Sequence, residues 1–193
     1  MHYSFYYWGP FLFKVKILQE DLNLITALCK KDKNKDARRK LAGIIKDEYF
    51  IDKEKYENIL KKYLETYSHG HKNWYNQDIK NINCVSAWVN YMKKGEYNPP
   101  HLHVDCDLSS VLYLKIPEEL KKENQEYMGT LTNGGPGSIT FQYGEYRPLN
   151  SDEHRVFPEE GDLYIFPFNL KHSVSPFKSN VERVSVAANF VIK

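Results

Sequence analysis

The spacing of apolar residues changes period near residue 80. Residues 12–17 alternate, with Phe11, Phe13, Val15 and Ile17 sharing one face, which predicts a first strand. Helical spacing follows: Leu22, Ile25 and Cys29 form one stripe, and Leu41, Ile44 and Ile45 another. The best-marked helix begins at Asp52, a side chain suited to capping free backbone N–H groups. It carries Tyr56, Ile59, Leu60, Tyr63 and Tyr67 on one side, and Gly70 is placed to end it. Beyond residue 80 the pattern is of strands. Segments 85–92, 108–114, 138–143, 161–167 and 183–192 are short, rich in branched and aromatic residues, and separated by turn signals, of which Asn133-Gly-Gly-Pro-Gly137 is the clearest.

These elements predict one domain over residues 1–193, mainly β. A helical part (1–80) packs outside an antiparallel double-sheet barrel (81–193), whose closure protects its edges, giving an α+β jelly roll overall. A chain of 193 residues suits one sizeable core better than two. The first third either covers the barrel or pairs two protomers into a homodimer.

Composition narrows the setting. A formal charge of +2 is too mild to argue for nucleic acid or an anionic membrane, and the basic run 30–40 is interrupted by Asp32 and Asp36. Cys29, Cys84 and Cys106 are odd in number and include no CxxC pair, the usage of reduced thiols in a cytoplasmic compartment. The aromatic start is broken by Gly9-Pro10 and lacks the marks of a secretory signal, and no apolar run approaches membrane-spanning length.

The chemistry concentrates in Asn98-Pro-Pro-His-Leu-His-Val-Asp105. In an extended strand His101, His103 and Asp105 point the same way, with Leu102 and Val104 packed behind them. His172, on a later apolar segment, supplies a further imidazole. Two histidines and a carboxylate leave positions of an ion open, which suits non-haem Fe(II) and oxygen chemistry. In 183–190, Arg183, Ser185, Ala187 and Asn189 alternate with an apolar face. An arginine turned into a barrel needs an anion, and its fork matches a carboxylate.

His103-x-Asp105, His172 and Arg183-x-Ser185 resemble the pattern of the iron(II)- and 2-oxoglutarate-dependent dioxygenases. Trp88-Val-Asn-Tyr91, Lys94-Gly-Glu-Tyr-Asn-Pro-Pro-His-x-His103, 108–114, 161–167 and His172-Ser-Val-x-Pro176 are similar to a 2OG-Fe(II) oxygenase branch that is partly phage-encoded, and more distantly to prolyl hydroxylases. The resemblance implies Fe(II) held by His103, Asp105 and His172, with 2-oxoglutarate bound by Arg183, Ser185 and a tyrosine, Tyr113 or Tyr91. It also implies O2 and hydroxylation of a peptidyl or small-molecule C–H bond, releasing succinate and CO2, in the cytoplasm (the host's, for a phage protein). Members of the branch often show HxH without the acid, so His101 is the alternative ligand, with Asp105 supporting from outside. Two rival readings stand beside this one: a cupin-type metal enzyme that does not use 2-oxoglutarate, and a non-catalytic barrel module.

Overall fold

In the computed structural model, described for residues 9–127, 134–145, 148 and 151–193, two antiparallel sheets face each other and helices cover the outside of the larger one. The aromatic start up to residue 8 and Asn133 lie outside the described residues. The strands are β1 (Phe13–Lys16), β2 (Glu48–Phe50), β3 (Ile82–Met92), β4 (Asn98–His101), β5 (Leu108–Lys115), β6 (Ile139–Gln142), β7 (Glu153–Val156), β8 (Asp162–Pro167), β9 (Lys171–Val174) and β10 (Arg183–Ile192). The helices are α1 (Gln19–Leu28), α2 (Lys53–Tyr75) and α3 (Glu118–Tyr127).

The six-stranded sheet runs β1-β8-β5-β10-β3-β2 and the four-stranded sheet β4-β9-β6-β7. Among the described residues no ladder joins the two, so the closed barrel expected from the strand pattern is instead a pair of stacked sheets with free edges. Those edges are short strands, and β4 carries Pro99-Pro100, which withhold two backbone donors and blunt pairing with another chain.

Both β1 and β2 come from the first third of the chain and form the two edges of the larger sheet. One hydrophobic cluster therefore runs from Ile17, Ile25, Tyr56, Leu60 and Tyr67 into Val89, Leu112, Ile165, Val186 and Phe190. A fully buried leucine such as Leu60 contributes about 1.5–3 kcal/mol through the water it excludes. The second cluster, including Met92, Tyr113, Phe141, Tyr164 and Phe166, fills the space between the sheets.

Asp52 caps α2 as expected, accepting from the backbone N–H of Lys55. Gly70 does not end that helix, which runs on to Tyr75 and stops at Asn76 in a left-handed conformation. The glycine makes room instead: a Cβ there would lie 3.0 Å from Phe11, whose ring packs among Tyr67, His71, Trp74 and Tyr75. The stripe Leu41, Ile44, Ile45 forms no α-helix. Short 3-10 turns at Lys33–Lys35 and Arg38–Lys40 lead into extended chain, where Ile44 bridges to Tyr97.

The segment between β5 and β6 holds α3, which follows Pro117 and opens with Glu118 and Glu119, a helix-start pattern. Its Asn124 amide donates to the carbonyls of Gly134 and Pro136 and to the Ser138 hydroxyl, and its Glu123 accepts from the backbone of Lys178 and Ser179. In this way α3 fixes the glycine turn at φ values that favour glycine (+73° at Gly134, +82° at Gly135 and +73° at Gly137).

Candidate metal centre

The strand entered through Pro99-Pro100 ends at His101. The two prolines interrupt the β4–β9 ladder between Asn98 and His101 and leave the Pro99 carbonyl free, and His101 Nδ1 donates back to it at 2.7 Å. His172 on β9 lies directly opposite His101 and uses the same device, Nδ1 to the Leu170 carbonyl at 2.9 Å. His103 follows the strand, its N–H bonded to the Phe168 carbonyl, and its Nδ1 sits 2.7 Å from Asn189 Oδ1. Carbonyl oxygens only accept, so each Nδ1 carries the proton and each Nε2 presents a lone pair.

Those lone pairs converge. A ligand atom from each of His101, His103 and His172 lies within 4.8 Å of the others, and the Nε2 atoms of His103 and His172 are 3.3 Å apart. Two nitrogens about 2.1 Å from one ion have that separation at an angle of about 100°. Two unprotonated nitrogens so close repel unless a cation lies between them, so the donor set fits a metal. Aromatic walls fix the rings: Trp88 stacks on His103 at 6.0 Å between centroids, and Phe166 meets His172 edge-on at 4.9 Å. Burial, together with His101 nearby, pulls the His103 imidazole down to about 4 and His172 down to about 3, so both are neutral and able to ligate at ordinary pH.

Asp105 is not brought into this cluster. The alternation that would align it with His101 and His103 requires extended backbone, and Asp105 instead adopts φ +57°, with Leu102 and Val104 exposed around it. It stands solvent-exposed at the rim of the cavity.

The cavity, of about 500 Å³, has the histidines on one wall and Arg183 and Ser185 on another, with Val111, Ile139 and Val174 among its apolar lining. A pocket of that size accommodates a small cosubstrate together with part of a second molecule. As the alternation predicts, Arg183, Ser185, Ala187 and Asn189 face inward, while Val184, Val186, Ala188 and Phe190 join the core under the helices. Pairing irregularities fall at Val184/Ser185 and Asn189/Phe190, where they re-aim side chains bordering the site.

Arg183 is 2 % exposed. It donates from Nη1 to the Gly137 carbonyl at 2.8 Å, lies over the Tyr113 ring, and leaves Nε without a partner. Burial draws the guanidinium below its usual range, and no carboxylate pairs with it among the described residues. The Tyr113 hydroxyl is also buried and unbonded. Tyr91 lies on the opposite face of β3, packed against Tyr49 and beneath the Lys31 ammonium, and does not reach Arg183.

Residues 86–189, more than half the chain, match the family described as "Putative 2OG-Fe(II) oxygenase". The chain belongs to this family. With the three-histidine cluster, membership supports an iron(II)- and 2-oxoglutarate-dependent hydroxylase activity. No curated protein matches the oxygenase. Solved structures share its fold at low identity. A prolyl-4-hydroxylase from Pseudomonas putida has a TM-score of 0.59 and 16% identity, covering 94% of this chain and 92% of that one. A viral collagen prolyl hydroxylase from Paramecium Bursaria Chlorella virus-1, in a 2OG complex, has 0.57 and 15%, covering 94% and 96%. An oxidoreductase of the 2OG-Fe(II) oxygenase family from Burkholderia pseudomallei has 0.56 and 15%, covering 93% and 84%.

The sequence put Asn189 on the inward face of its strand without giving it a role, and gave Glu48 none. Asn189 accepts from the Ser109 hydroxyl as well as bonding His103, joining β5, β10 and the ligand segment. Glu48, 1 % exposed, lines the cavity from β2, and its Oε2 has no partner. Burial first, then the Glu96 carboxylate, push it up to about 7, with a pull downward from Arg38 that outweighs a small push from Asp36. Between about pH 4.5 and 7 the folded chain therefore holds a proton that the unfolded chain has released, and stability falls as pH rises. Glu48→Gln is expected to be as stable as the parent near pH 4 and more stable by about 1–3 kcal/mol at pH 8 in denaturant unfolding of the metal-free proteins. No helix among the described residues is long and apolar enough to cross a membrane.

Proposed function

We propose that the oxygenase holds Fe(II) with His101, His103 and His172, binds 2-oxoglutarate by its far carboxylate at Arg183, and hydroxylates a C–H bond of a peptidyl or small-molecule substrate. The observation that carries this is the convergence of three Nε2 lone pairs whose Nδ1 protons are each engaged by an oxygen. When bound, the iron and 2-oxoglutarate supply the oxidising chemistry: O2 is split, 2-oxoglutarate becomes succinate and CO2, and one oxygen atom enters the substrate.

The chain's own contributions follow from its residues. Three neutral imidazoles leave the charge of a divalent ion uncompensated, which favours a dianionic cosubstrate at the same centre. Arg183 offers an unpaired Nε and can grip a carboxylate with its fork, while Ser185 and Tyr113 offer hydroxyl donors. Trp88, Phe166 and Val111 exclude water from the reacting region. The prolyl hydroxylase neighbours support C–H hydroxylation as the reaction.

The test is conversion of 2-oxoglutarate to succinate by the Fe(II)-loaded protein, combined with a mass-spectrometric search for oxygen-added products in host protein and metabolite fractions. A cupin-type enzyme would instead bind metal without consuming 2-oxoglutarate, and a non-catalytic module would do neither. The ligand set is tested separately. His101→Ala is expected to weaken Fe(II) binding by roughly 100-fold or more, and Asp105→Ala by no more than about tenfold, as for a residue outside the ligand set. Calorimetric titration decides, and the reverse ranking would return Asp105 to the metal.

A further inference from the structure

The inner face of the larger sheet carries a row of polar side chains. Glu48 on β2 pairs in register with Asn90 on β3, Asn90 with Ser185 on β10, and Ser185 with Tyr113 on β5. Adjacent strands lie about 4.8 Å apart, so Glu48 stands about 9–10 Å from the Ser185 strand. Glu48, Asn90, Ser185 and Arg183 all line the same cavity. Two oxygens at the Glu48 end are buried without a hydrogen-bond partner, Glu48 Oε2 and Asn90 Oδ1. Both are acceptors.

The chain crowds this end without satisfying it. Gly43 approaches so closely that a Cβ would lie 2.5 Å from Asn98 Oδ1 and 2.8 Å from Glu48 Oε1. Asn98 begins the strand that ends at His101, so the Glu48 end adjoins the segment that leads to the metal ligands. The neighbouring Glu96 carboxylate is already occupied by the backbone N–H groups of Lys46 and Lys93. Lys40 lines the cavity, but its ammonium rests over the Phe50 ring, and no ion pair among the described residues reaches Glu48. A buried carboxylate without a counter-charge is costly unless something else supplies one.

We propose that Glu48 and Asn90 form a subsite for a cationic nitrogen of the substrate, an ammonium or a guanidinium, at the end of the cavity away from Arg183. Such a group brings both the missing charge and the missing hydrogen-bond donors. The inference rests on the oxygenase reading, and it narrows the substrate class to amine- or guanidine-bearing molecules, including lysine or arginine side chains in a peptide. The raised protonation range of Glu48 is the state expected of this carboxylate before its partner arrives.

The experiment uses the full chain loaded with 2-oxoglutarate and zinc in place of iron, which prevents turnover. n-Butylammonium, n-butylguanidinium and neutral n-butanol are the probes, with affinity read by ligand-observed NMR titration. At least one cationic probe is expected to bind the parent about tenfold or more tightly than n-butanol, and that preference is expected to vanish in Glu48→Gln, which keeps the side chain's shape. Equal binding of cations and alcohol by the parent, or an undiminished preference in E48Q, would overturn the subsite. Were Lys40 itself the partner of Glu48, the preference would be missing in the parent and present in Lys40→Met, and that result would also overturn it. Zinc and 2-oxoglutarate binding are measured in the same samples. A parent that binds neither defeats the oxygenase reading, whereas one that binds both and ignores the cations defeats the subsite alone.

Discussion

Purified His172→Ala protein is expected to stay folded and to lose Fe(II) affinity by at least roughly 100-fold, since even residues that only orient ligands cost 10–100-fold when removed. His172 is the pivot of the cluster. Its ring lies 4.3 Å from that of His101 and 5.1 Å from that of His103, centroid to centroid, so its loss leaves two imidazoles with no third corner. Folding should survive, because among the described residues the ring's one backbone partner is the Leu170 carbonyl, while the β6 and β4 ladders on either side of β9 involve backbone. Isothermal titration with Fe(II) under anaerobic conditions, alongside circular dichroism, reads both quantities. Parent-like metal affinity in H172A would show that the cluster is not where the metal binds.

Arg183→Leu should separate cosubstrate from metal. Loss of a buried, hydrogen-bonded charge contact costs about 2–5 kcal/mol, so 2-oxoglutarate binding is expected to weaken by roughly 30-fold to several thousand-fold, with Fe(II) affinity little changed. The substitution need not unfold the protein. Among the described residues Arg183 has one hydrogen bond, to Gly137, and leucine relieves the cost of an unneutralised charge at a site that is 2 % exposed. Arg183→Lys is the companion variant: it keeps the charge and loses the fork, so an intermediate loss is expected if two-pronged recognition matters. Unchanged 2-oxoglutarate affinity in R183L would remove Arg183 from the site.

The inward face of β10 could be read from sequence because that strand lies between β3 and β5, with one face against the helices and the other on the cavity, which forces strict alternation. The metal ligands were only half legible. His101, His103 and Asp105 share one parity, and no residue marks where extended backbone ends; the left-handed turn at Asp105 is one that aspartate tolerates without requiring. Tyr91 and Tyr113 were equivalent candidates until pairing put Tyr91 beside Val184 and Tyr113 beside Ser185. Asn189 reaches His103 across 86 positions of sequence, a contact no local pattern carries. Glu48 sits in an unremarkable acidic stretch, Lys46-Asp-Glu-Tyr49, and becomes informative only when β2 turns it inward. The helix α3 falls in the part read as strands and was missed, because its apolar stripe is thin, with Leu120 and Asn124 its buried residues.

Because β1 and β2 edge the larger sheet, the region 86–189 that carries the family match is not a transplantable unit. A chain begun at residue 86 would bare the hydrogen-bonding edges of β8 and β3, uncover the apolar face that α2 seals, and discard Glu48. Such a fragment is expected to self-associate through its naked strands. Shuffling this region between relatives would likewise separate the oxidising machinery from the wall that chooses what is oxidised, so changes of substrate in this lineage should be sought in the stretch before residue 51 as much as in the matched region.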